Sequence, residues 1–183
     1  NAAARCWWML RAFGLEKVQV LSGGFQGAVK SGISTNSGEE IFEKTSFILR
    51  ENWSLPTSTL ENVEQEIAEN SATVIDVRDA YRYRGESEPI DLVAGHIPGA
   101  INIPFSENLD ENGEFLSPEI LKEKYQILLA EKPEKLIIHC GSGVTACHTI
   151  LALDYAGFPI PNLYVGSWSE WSRREGKEIA REV

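Results

Sequence analysis

The chain has 183 residues and carries 17 lysines and arginines against 27 aspartates and glutamates, which gives a formal net charge of −10. A surface of this charge repels phosphate backbones, so nucleic acid is excluded as an expected partner. No apolar run reaches the roughly 20 residues of a membrane span, so no membrane partner is expected. Three cysteines at irregular spacing are typical of a reducing compartment rather than of a disulfide framework or a zinc site. We therefore expect a cytoplasmic protein without a metal or another cofactor.

The start of the chain has the pattern of the end of a domain. Residues 2–13 predict a helix, residues 18–21 a short strand and residues 25–30 a second, short helix. Residues 1–32 are therefore expected to be the C-terminal part of a first domain. An apolar face would then be exposed where the rest of that domain is missing, and it would favour self-association.

A polar segment and a complete second domain follow. Residues 33–56 are rich in Ser, Thr, Asn and Gly, which predicts a linker with one extended segment at 46–50. Apolar runs then alternate with longer periodic segments over residues 57–183, which predicts an α/β domain with a parallel sheet and helices on both faces. Predicted strands lie at 73–77, 101–103, 135–139 and 163–165, and predicted helices at 59–69, 117–131, 144–156 and 166–175.

Local signals mark two helix starts and one loop. Ser58 stands three residues before Glu61, which matches a capping box, and Ser117 precedes a proline suited to the first helical position. Residues 79–94 are strongly charged and predict a long loop that carries Arg82.

The most informative stretch is the end of the predicted strand at 135–139. Cys140 follows it directly, and a short loop containing Gly141 and Gly143 leads into the next predicted helix. Backbone N–H groups of such a loop and of a helix N-terminus form an anion-binding site. A cysteine held there ionises more readily, and the thiolate is the nucleophilic form. The pattern therefore predicts a reactive thiol at the mouth of an anion-binding loop, the alternative being a buried core cysteine.

An internal repeat links the two ends of the chain. Residues 12–14 loosely match residues 155–157, and residues 20–25 match residues 163–168, both at a constant offset of 143 residues. The repeat predicts that the first segment and the second domain are copies of one fold.

Three ordered motifs resemble the rhodanese (sulfurtransferase) domain: residues 76–78, residues 95–104 and the Cys140 loop. Residues 4–32 resemble the end of the first of two tandem rhodanese domains, and the Cys140 loop resembles that of 3-mercaptopyruvate sulfurtransferases. The resemblance implies a rhodanese-like α/β fold and a sulfurtransferase activity. Sulfane sulfur would move from 3-mercaptopyruvate or thiosulfate, through a persulfide on Cys140, to a small thiol, a thioredoxin-like protein or cyanide.

The same resemblance implies roles for individual residues. Arg82 matches an arginine that binds the sulfur donor in relatives, the alternative being a surface charge. Ser142 would polarise the donor or relay a proton together with groups of the first domain, the alternative being a small loop residue. The anionic sulfur would be held by the backbone amides of the loop: Gly141, Ser142, Gly143, Val144 and Thr145.

The uncharged side chains of the loop also indicate which sulfur donor is preferred. Relatives that prefer thiosulfate carry basic residues within the loop, whereas this chain has Gly141 and Ser142. The resemblance therefore favours a donor with a single carboxylate, such as 3-mercaptopyruvate. A second donor-binding arginine of some relatives is absent, because this chain has residues 89–91 as Pro-Ile-Asp.

Two other functions were weighed against sulfur transfer. A cysteine phosphatase needs an arginine six positions after the cysteine, and Ala146 stands there. A catalytically weak binding or regulatory module remains as the alternative. We expect the remaining chemistry-bearing side chains to serve packing or hydrogen bonding: Cys6, Asp76, Arg78, His96, His139, Cys147, Trp168 and Trp171.

Overall fold

The structure is a computed structural model that describes residues 1–48, 52–130 and 132–182. Within these ranges five strands form one parallel sheet with the order β1-β5-β4-β2-β3. This confirms the predicted parallel α/β fold. The strands are β1 (Thr57–Ser58), β2 (Thr73–Asp76), β3 (Ile101–Asn102), β4 (Leu136–His139) and β5 (Asn162–Tyr164).

Helices flank the sheet, and one short 3₁₀ helix, Phe105–Asn108, follows β3. The α-helices of the described residues are α1 (Ala2–Ala12), α2 (Gly24–Lys30), α3 (Leu60–Ala68), α4 (Ala80–Arg84), α5 (Pro118–Leu129), α6 (Val144–Tyr155) and α7 (Ser167–Trp171).

The central strand β4 is buried on both faces. Ile138 belongs to a core cluster that also contains side chains of α1, α5 and α6. Ile137 points the other way, into a second cluster with side chains of α3 and α7. Side chains alternate between the two faces of a strand, so the continuous apolar run of β4 requires helices on both sides.

The register of the sheet determines where the site forms. Asp76 at the end of β2 pairs with His139 at the end of β4. Both strands are parallel, so the segments that follow them leave the sheet at the same carboxyl edge. The Cys140 loop and the segment carrying Arg82 therefore become neighbours.

Helix α1 packs directly against α6. Trp8 of α1 is fully buried in the same core cluster as α6, and Arg11 approaches Asp154 at 4.0 Å. The helices lie 143 residues apart, and each ends before a glycine in the left-handed region, Gly14 at φ 99° and Gly157 at φ 83°. Both helices thus end in the same way, before a left-handed glycine, at the offset of the predicted repeat.

The predicted strand at residues 18–21 is wrong. These residues form no strand, because their apolar side chains, Val18 and Val20, pack against the core cluster on the α6 side of the sheet. A strand that the sequence did not predict, β1, pairs instead with β5.

Three local predictions also need correction. The capping box of α3 is formed by Thr59 and Asn62 rather than by Ser58 and Glu61, because Ser58 is already paired in β1. The charged segment 79–94 is not all loop, since it contains α4. Cys6 is exposed rather than part of the core.

The described part of residues 33–56 contains neither helix nor strand. The end of the predicted extended segment, residues 49–50, lies outside the described residues. The predicted end of α5 at residue 131 lies outside them as well.

Candidate active site

The start of α7 forms hydrogen bonds with the first residues of the Cys140 loop. The N–H of Cys140 donates to the hydroxyl oxygen of Ser167 at 3.3 Å, and the carbonyl of Cys140 accepts from the N–H of Trp168 at 3.0 Å. The next carbonyl, that of Gly141, accepts from the N–H of Ser169 at 2.8 Å. Cys140 and Gly141 are therefore fixed to the start of α7 by three hydrogen bonds.

The loop N–H groups remain free. Among the described residues, those of Gly141, Ser142 and Gly143 donate no hydrogen bond. Helix α6 begins at Val144, and the first N–H groups of a helix have no partner within it. Ser142 and Val144 are exposed, and Thr145 is half-buried. Such a run of unpaired amides beside a cysteine has the chemistry of an anion-binding nest.

Gly143 cannot be replaced without moving the loop. Its φ is +75°, and a Cβ there would lie 2.9 Å from the carbonyl oxygen of Val165. Gly141 is different, because its φ is not in the left-handed region and a Cβ would have ordinary contacts at 3.5 Å or more. The glycine spacing therefore reflects one strict requirement rather than two.

The thiol lies deeper than the sequence predicts. Cys140 is 2% exposed and belongs to the core cluster, so it lies beneath the loop and not at an open mouth. The reason is that the core continues one residue beyond β4, with Ala146 and Cys147 of α6 packed in the same cluster. Any molecule that reacts with this thiol would therefore have to reach the sulfur through the loop.

Arg82 lies beside the loop, where the register of the sheet brings it. It is 7% exposed on α4, and its Nη2 is 3.6 Å from the position that a Cβ on Gly141 would occupy. Nη2 contacts Glu88 Oε1 at 2.7 Å and Asp91 Oδ2 at 3.6 Å. These are ion-pair contacts without hydrogen-bond alignment, since neither Nη2 nor Asp91 Oδ2 has a hydrogen bond among the described residues.

The Arg82–Glu88 ion pair shifts the pKa values of both partners. Burial lowers the pKa of Arg82, but the hydrogen bond and charge of Glu88 raise it further, so the net shift is upward. Burial raises the pKa of Glu88, but hydrogen bonds from Arg82 and from the N–H groups of Asp91 and Ile90 lower it, and the net shift is downward. Both groups are therefore ionised at neutral pH.

The pair belongs to a longer buried array. Arg78 bonds the carboxylate of Asp76 and also contacts Glu88 at 3.1 Å, and its guanidinium lies 4.6 Å from the ring centre of Trp168. At the other end, Asp91 lies 3.5 Å from Arg173. The prediction that Asp76 and Arg78 join elements at the sheet edge is confirmed.

The histidines have structural contacts. His96 Nδ1 bonds the carbonyl of Tyr83 at 2.8 Å and its ring stacks on Tyr83, as the predicted role in holding the turn requires. His139 is fully buried with Nε2 3.8 Å from Asp76. Burial lowers the pKa of His139 despite the charge of Asp76, so this imidazole stays neutral.

Cys147 packs under the loop. It is fully buried, and its thiol donates to the carbonyl of Gly143 at 3.2 Å. Arg5 of α1 reaches the same carbonyl at 3.5 Å and the sulfur at 3.7 Å. Burial raises the pKa of the Cys147 thiol. These contacts confirm a packing role.

Sequence reasoning did not single out several residues that contact this site: Arg5, Glu88, Asp91, Ser167, Ser169 and Arg173. Arg5, Ser167 and Ser169 contact the Cys140 loop from distant segments. Glu88 and Asp91 contact Arg82, and Arg173 contacts Asp91. Of these residues, the sequence gives a signal only for Asp91, which belongs to the Pro-Ile-Asp segment where some relatives have an arginine.

Comparison with known proteins identifies the class. A family model described as "Rhodanese-like domain" matches residues 59–174, and the chain therefore belongs to this family.

Individual members of the family are similar to this chain over nearly its whole length. The chain is 42% identical over 180 residues to a "Probable 3-mercaptopyruvate sulfurtransferase" of Pseudomonas aeruginosa, covering 97% of this chain and 63% of that protein. It is 39% identical over 179 residues to a "Thiosulfate sulfurtransferase" of Rattus norvegicus, covering 96% of this chain and 60% of that protein. The crystal structure of the Tum1 protein from Saccharomyces cerevisiae matches with a TM-score of 0.81 and 26% identity over 99% of this chain and 66% of that one. The chain thus spans about three fifths of the length of these curated relatives.

Among the described residues, no helix has both the length and the apolar composition needed to cross a membrane. The same residues contain no group of three or more His, Cys, Asp or Glu side chains arranged to hold a metal ion.

Proposed function

We propose that the protein is a sulfurtransferase that moves a sulfane sulfur from 3-mercaptopyruvate, or from thiosulfate, to an acceptor through a persulfide on Cys140. The observation that carries the proposal is the position of Cys140, between β4 and the unpaired amides that lead into α6. The identity to mercaptopyruvate and thiosulfate sulfurtransferases supports it.

In the first half-reaction the Cys140 thiolate attacks the sulfur of 3-mercaptopyruvate. A sulfur–sulfur bond forms, and the carbon–sulfur bond of the donor breaks. The electron pair stays with the three-carbon product as an enolate, which takes up a proton to become pyruvate. The amides of residues 141–145 would stabilise the anionic sulfur, as preorganised N–H groups do for developing negative charge.

In the second half-reaction a thiolate or cyanide attacks the outer sulfur of the persulfide. The new bond forms to the acceptor, and the electron pair of the broken sulfur–sulfur bond returns to Cys140 as thiolate. Neither step needs an external oxidant or reductant. The acceptor class is a small thiol, a thioredoxin-like protein or cyanide.

Arg82 would bind the donor carboxylate. Its Nη2 is buried beside Gly141 without a hydrogen bond among the described residues, so a suitably placed carboxylate oxygen would satisfy it. A guanidinium can hold a carboxylate through two parallel bonds, which would orient the donor sulfur. Ser142, exposed on the loop, would polarise the donor or relay the proton.

We also propose that residues 1–32 are the end of a first rhodanese-like unit, residues 33–56 a linker and residues 57–183 the catalytic unit. The equivalent positions of α1 and α6 support this division. Three free cysteines suit a reducing compartment, so we place the reaction in the cytoplasm. Leu21, Phe25 and Val29 are exposed in the first segment and would support self-association.

One observation favours the alternative of a catalytically weak binding module. Cys140 is 2% exposed, and the charge of Arg82 is compensated by Glu88 and Asp91. A module of this kind would bind an anion at the loop without forming a persulfide.

Mass spectrometry of the full-length protein distinguishes these functions. Incubation with 3-mercaptopyruvate should add one sulfur atom to the peptide containing Cys140. Cys140→Ser should abolish the adduct, whereas Cys6→Ser, which changes an exposed cysteine, should leave it unchanged. Absence of the adduct on a reduced, folded protein would overturn the proposal.

A further inference from the structure

Asp91 lies between two guanidiniums at the edge of the Cys140 loop. Its Oδ2 is 3.6 Å from Arg82 Nη2, and its Oδ1 is 3.5 Å from Arg173 Nη2. The hydroxyl of Ser169 donates to Oδ1 at 2.6 Å. The backbone N–H of Ser169 also donates to the carbonyl of Gly141. Ser169 therefore connects Asp91 to the residue that follows Cys140.

Two buried polar atoms meet at this point without hydrogen bonds. They are Oδ2 of Asp91 and Nη2 of Arg82, and neither has a hydrogen-bond partner among the described residues. They lie 3.5 and 3.6 Å from the position of a Cβ on Gly141. A molecule arriving at Cys140 through the loop therefore meets one cation and one anion that are ion-paired but whose Nη2 and Oδ2 atoms make no hydrogen bond among the described residues.

The array that contains Asp91 is electrically balanced. Its ion pairs join three carboxylates to three guanidiniums, so its formal charge is zero. The members are Asp76, Arg78, Arg82, Glu88, Asp91 and Arg173. The array therefore adds no net positive charge beside the loop for the second charge of a compact dianion, and each negative charge needs its own compensation in a partly buried site.

We propose that Asp91 is a specificity-determining residue that favours donors with one carboxylate over the dianion thiosulfate. Arg82 can bind one carboxylate through Nη2, which is ion-paired with Glu88 but makes no hydrogen bond among the described residues. The second charge of thiosulfate would then lie close to Asp91, whose carboxylate repels it. The inference rests on the proposed function, because it concerns the donor of the same sulfur-transfer reaction.

Arg173 makes the opposite contribution. Its side chain is 53% exposed, and with Ser169, Glu170 and Arg174 it lines an open cavity of about 470 Å³ beside the loop. Its guanidinium attracts anions of either kind, and Asp91 cancels this attraction. Removing the charge of Asp91 and removing that of Arg173 should therefore change donor preference in opposite directions.

The test compares kcat/KM for thiosulfate and for 3-mercaptopyruvate in the full-length protein and four variants. Asp91→Asn keeps an acceptor for Ser169 and removes one negative charge, and it should raise the thiosulfate-to-mercaptopyruvate ratio about tenfold. Arg173→Gln should lower the ratio about twofold to threefold, because this exposed charge is screened. The double variant should lie between the single variants, with a ratio about threefold to fivefold above that of the wild type if the two effects are independent. Glu123→Gln, on the exposed side of α5, removes the same charge elsewhere and should leave the ratio unchanged.

A purely structural role for Asp91 would lower both activities together and leave their ratio unchanged, which would overturn the inference. If Asp91→Asn fails to fold in a thermal unfolding measurement, Arg173→Gln decides, since an unchanged or increased ratio in that variant also overturns it. Absence of a Cys140 persulfide from either donor in the wild type would instead overturn the proposed function and the inference with it. A wild type that is active with both donors and variants with an unchanged ratio would overturn the inference alone.

Discussion

The hydroxyl oxygen of Ser167 accepts the backbone N–H of Cys140 at 3.3 Å, and the same hydroxyl donates to the carbonyl of Tyr164 at 2.8 Å. Ser167 is fully buried and has a φ of +54°, a left-handed conformation that is unfavourable for a residue with a side chain. The position 143 residues earlier is Gly24, which adopts a similar φ of +61°. Position 167 thus has a strained serine where position 24 has a glycine, and the serine hydroxyl bonds the backbone of Cys140.

Ser167→Ala should lower both the stability of the fold and the rate of sulfur transfer. The buried N–H of Cys140 and the carbonyl of Tyr164 would lose their partner, which costs about 1–3 kcal/mol of unfolding free energy. Urea denaturation and single-turnover persulfide formation measure the two effects. Ser172→Ala is the matched control, because the buried hydroxyl of Ser172 has no hydrogen bond among the described residues. Equal effects in both variants would show that the Ser167 bonds are unimportant.

Gly143→Ala should damage the loop far more than Gly141→Ala. A Cβ at Gly143 meets the carbonyl oxygen of Val165 at 2.9 Å, and the left-handed φ adds strain of about 1–3 kcal/mol. Moving this backbone would also displace the amides that lead into α6. Persulfide yield and thermal unfolding should both decrease for Gly143→Ala and change little for Gly141→Ala. Similar losses in the two variants would contradict the assignment of the strict requirement to Gly143.

The part of the site that the sequence predicts is the part formed by neighbouring residues of the chain. The loop could be predicted because an apolar run, a cysteine and a glycine spacing are adjacent in sequence, and the residues give these features directly. The contacts of Asp91 with Arg82, Ser169 and Arg173 join segments up to 82 positions apart. Their formation depends on strand order and helix placement, which a single sequence does not specify.

The same limit explains the incorrect strand at residues 18–21. An apolar alternation indicates a half-buried extended segment, but it does not indicate whether a sheet edge is available to it. Here the edge of β5 pairs with β1, a two-residue strand too short to give a pattern.

Arg82→Gln should lower kcat/KM for 3-mercaptopyruvate by about tenfold or more. The charged hydrogen bonds to the donor carboxylate would be lost, and a charge-assisted bond is worth about 1.5–3 kcal/mol. Arg84→Gln is the matched control on the same helix, because Arg84 is exposed and pairs only with the neighbouring Glu86 among the described residues. Steady-state kinetics with both variants makes the comparison. Equal kcat/KM for Arg82→Gln and Arg84→Gln would remove Arg82 from the donor site.

Glu88→Gln should make stability less dependent on pH on the acid side. The pKa of Glu88 is lowered in the folded state, so its carboxylate stabilises the fold above its ordinary pKa of about 4.3, and this contribution is lost as the pH falls through the lower, folded value. Removing one partner of a buried pair costs about 3–5 kcal/mol. The variant should therefore be less stable than the wild type at pH 7, and the difference should shrink as the pH falls below about 4.3. Denaturation curves from pH 3 to pH 8 measure the difference, and a constant difference over that range would contradict the pairing.

Trp8→Ala tests whether α1 unfolds together with the sheet domain. Trp8 is fully buried in the cluster that also contains Cys140, and its ring meets Trp53 edge to face at 5.2 Å between centres. Replacing a buried tryptophan with alanine costs about 3–5 kcal/mol, and here the resulting cavity would lie in a core shared with α6. The variant should therefore lower the midpoint of one cooperative transition measured by both fluorescence and circular dichroism. Met9→Ala, which changes the exposed side of the same helix, should have an effect below about 1 kcal/mol. A separate early transition in Trp8→Ala, with the sheet domain unchanged, would show that α1 unfolds independently of the sheet.

The packing of α1 on α6, with Arg5 at the carbonyl of Gly143, instead predicts that loss of Trp8 also disturbs the Cys140 loop and slows persulfide formation.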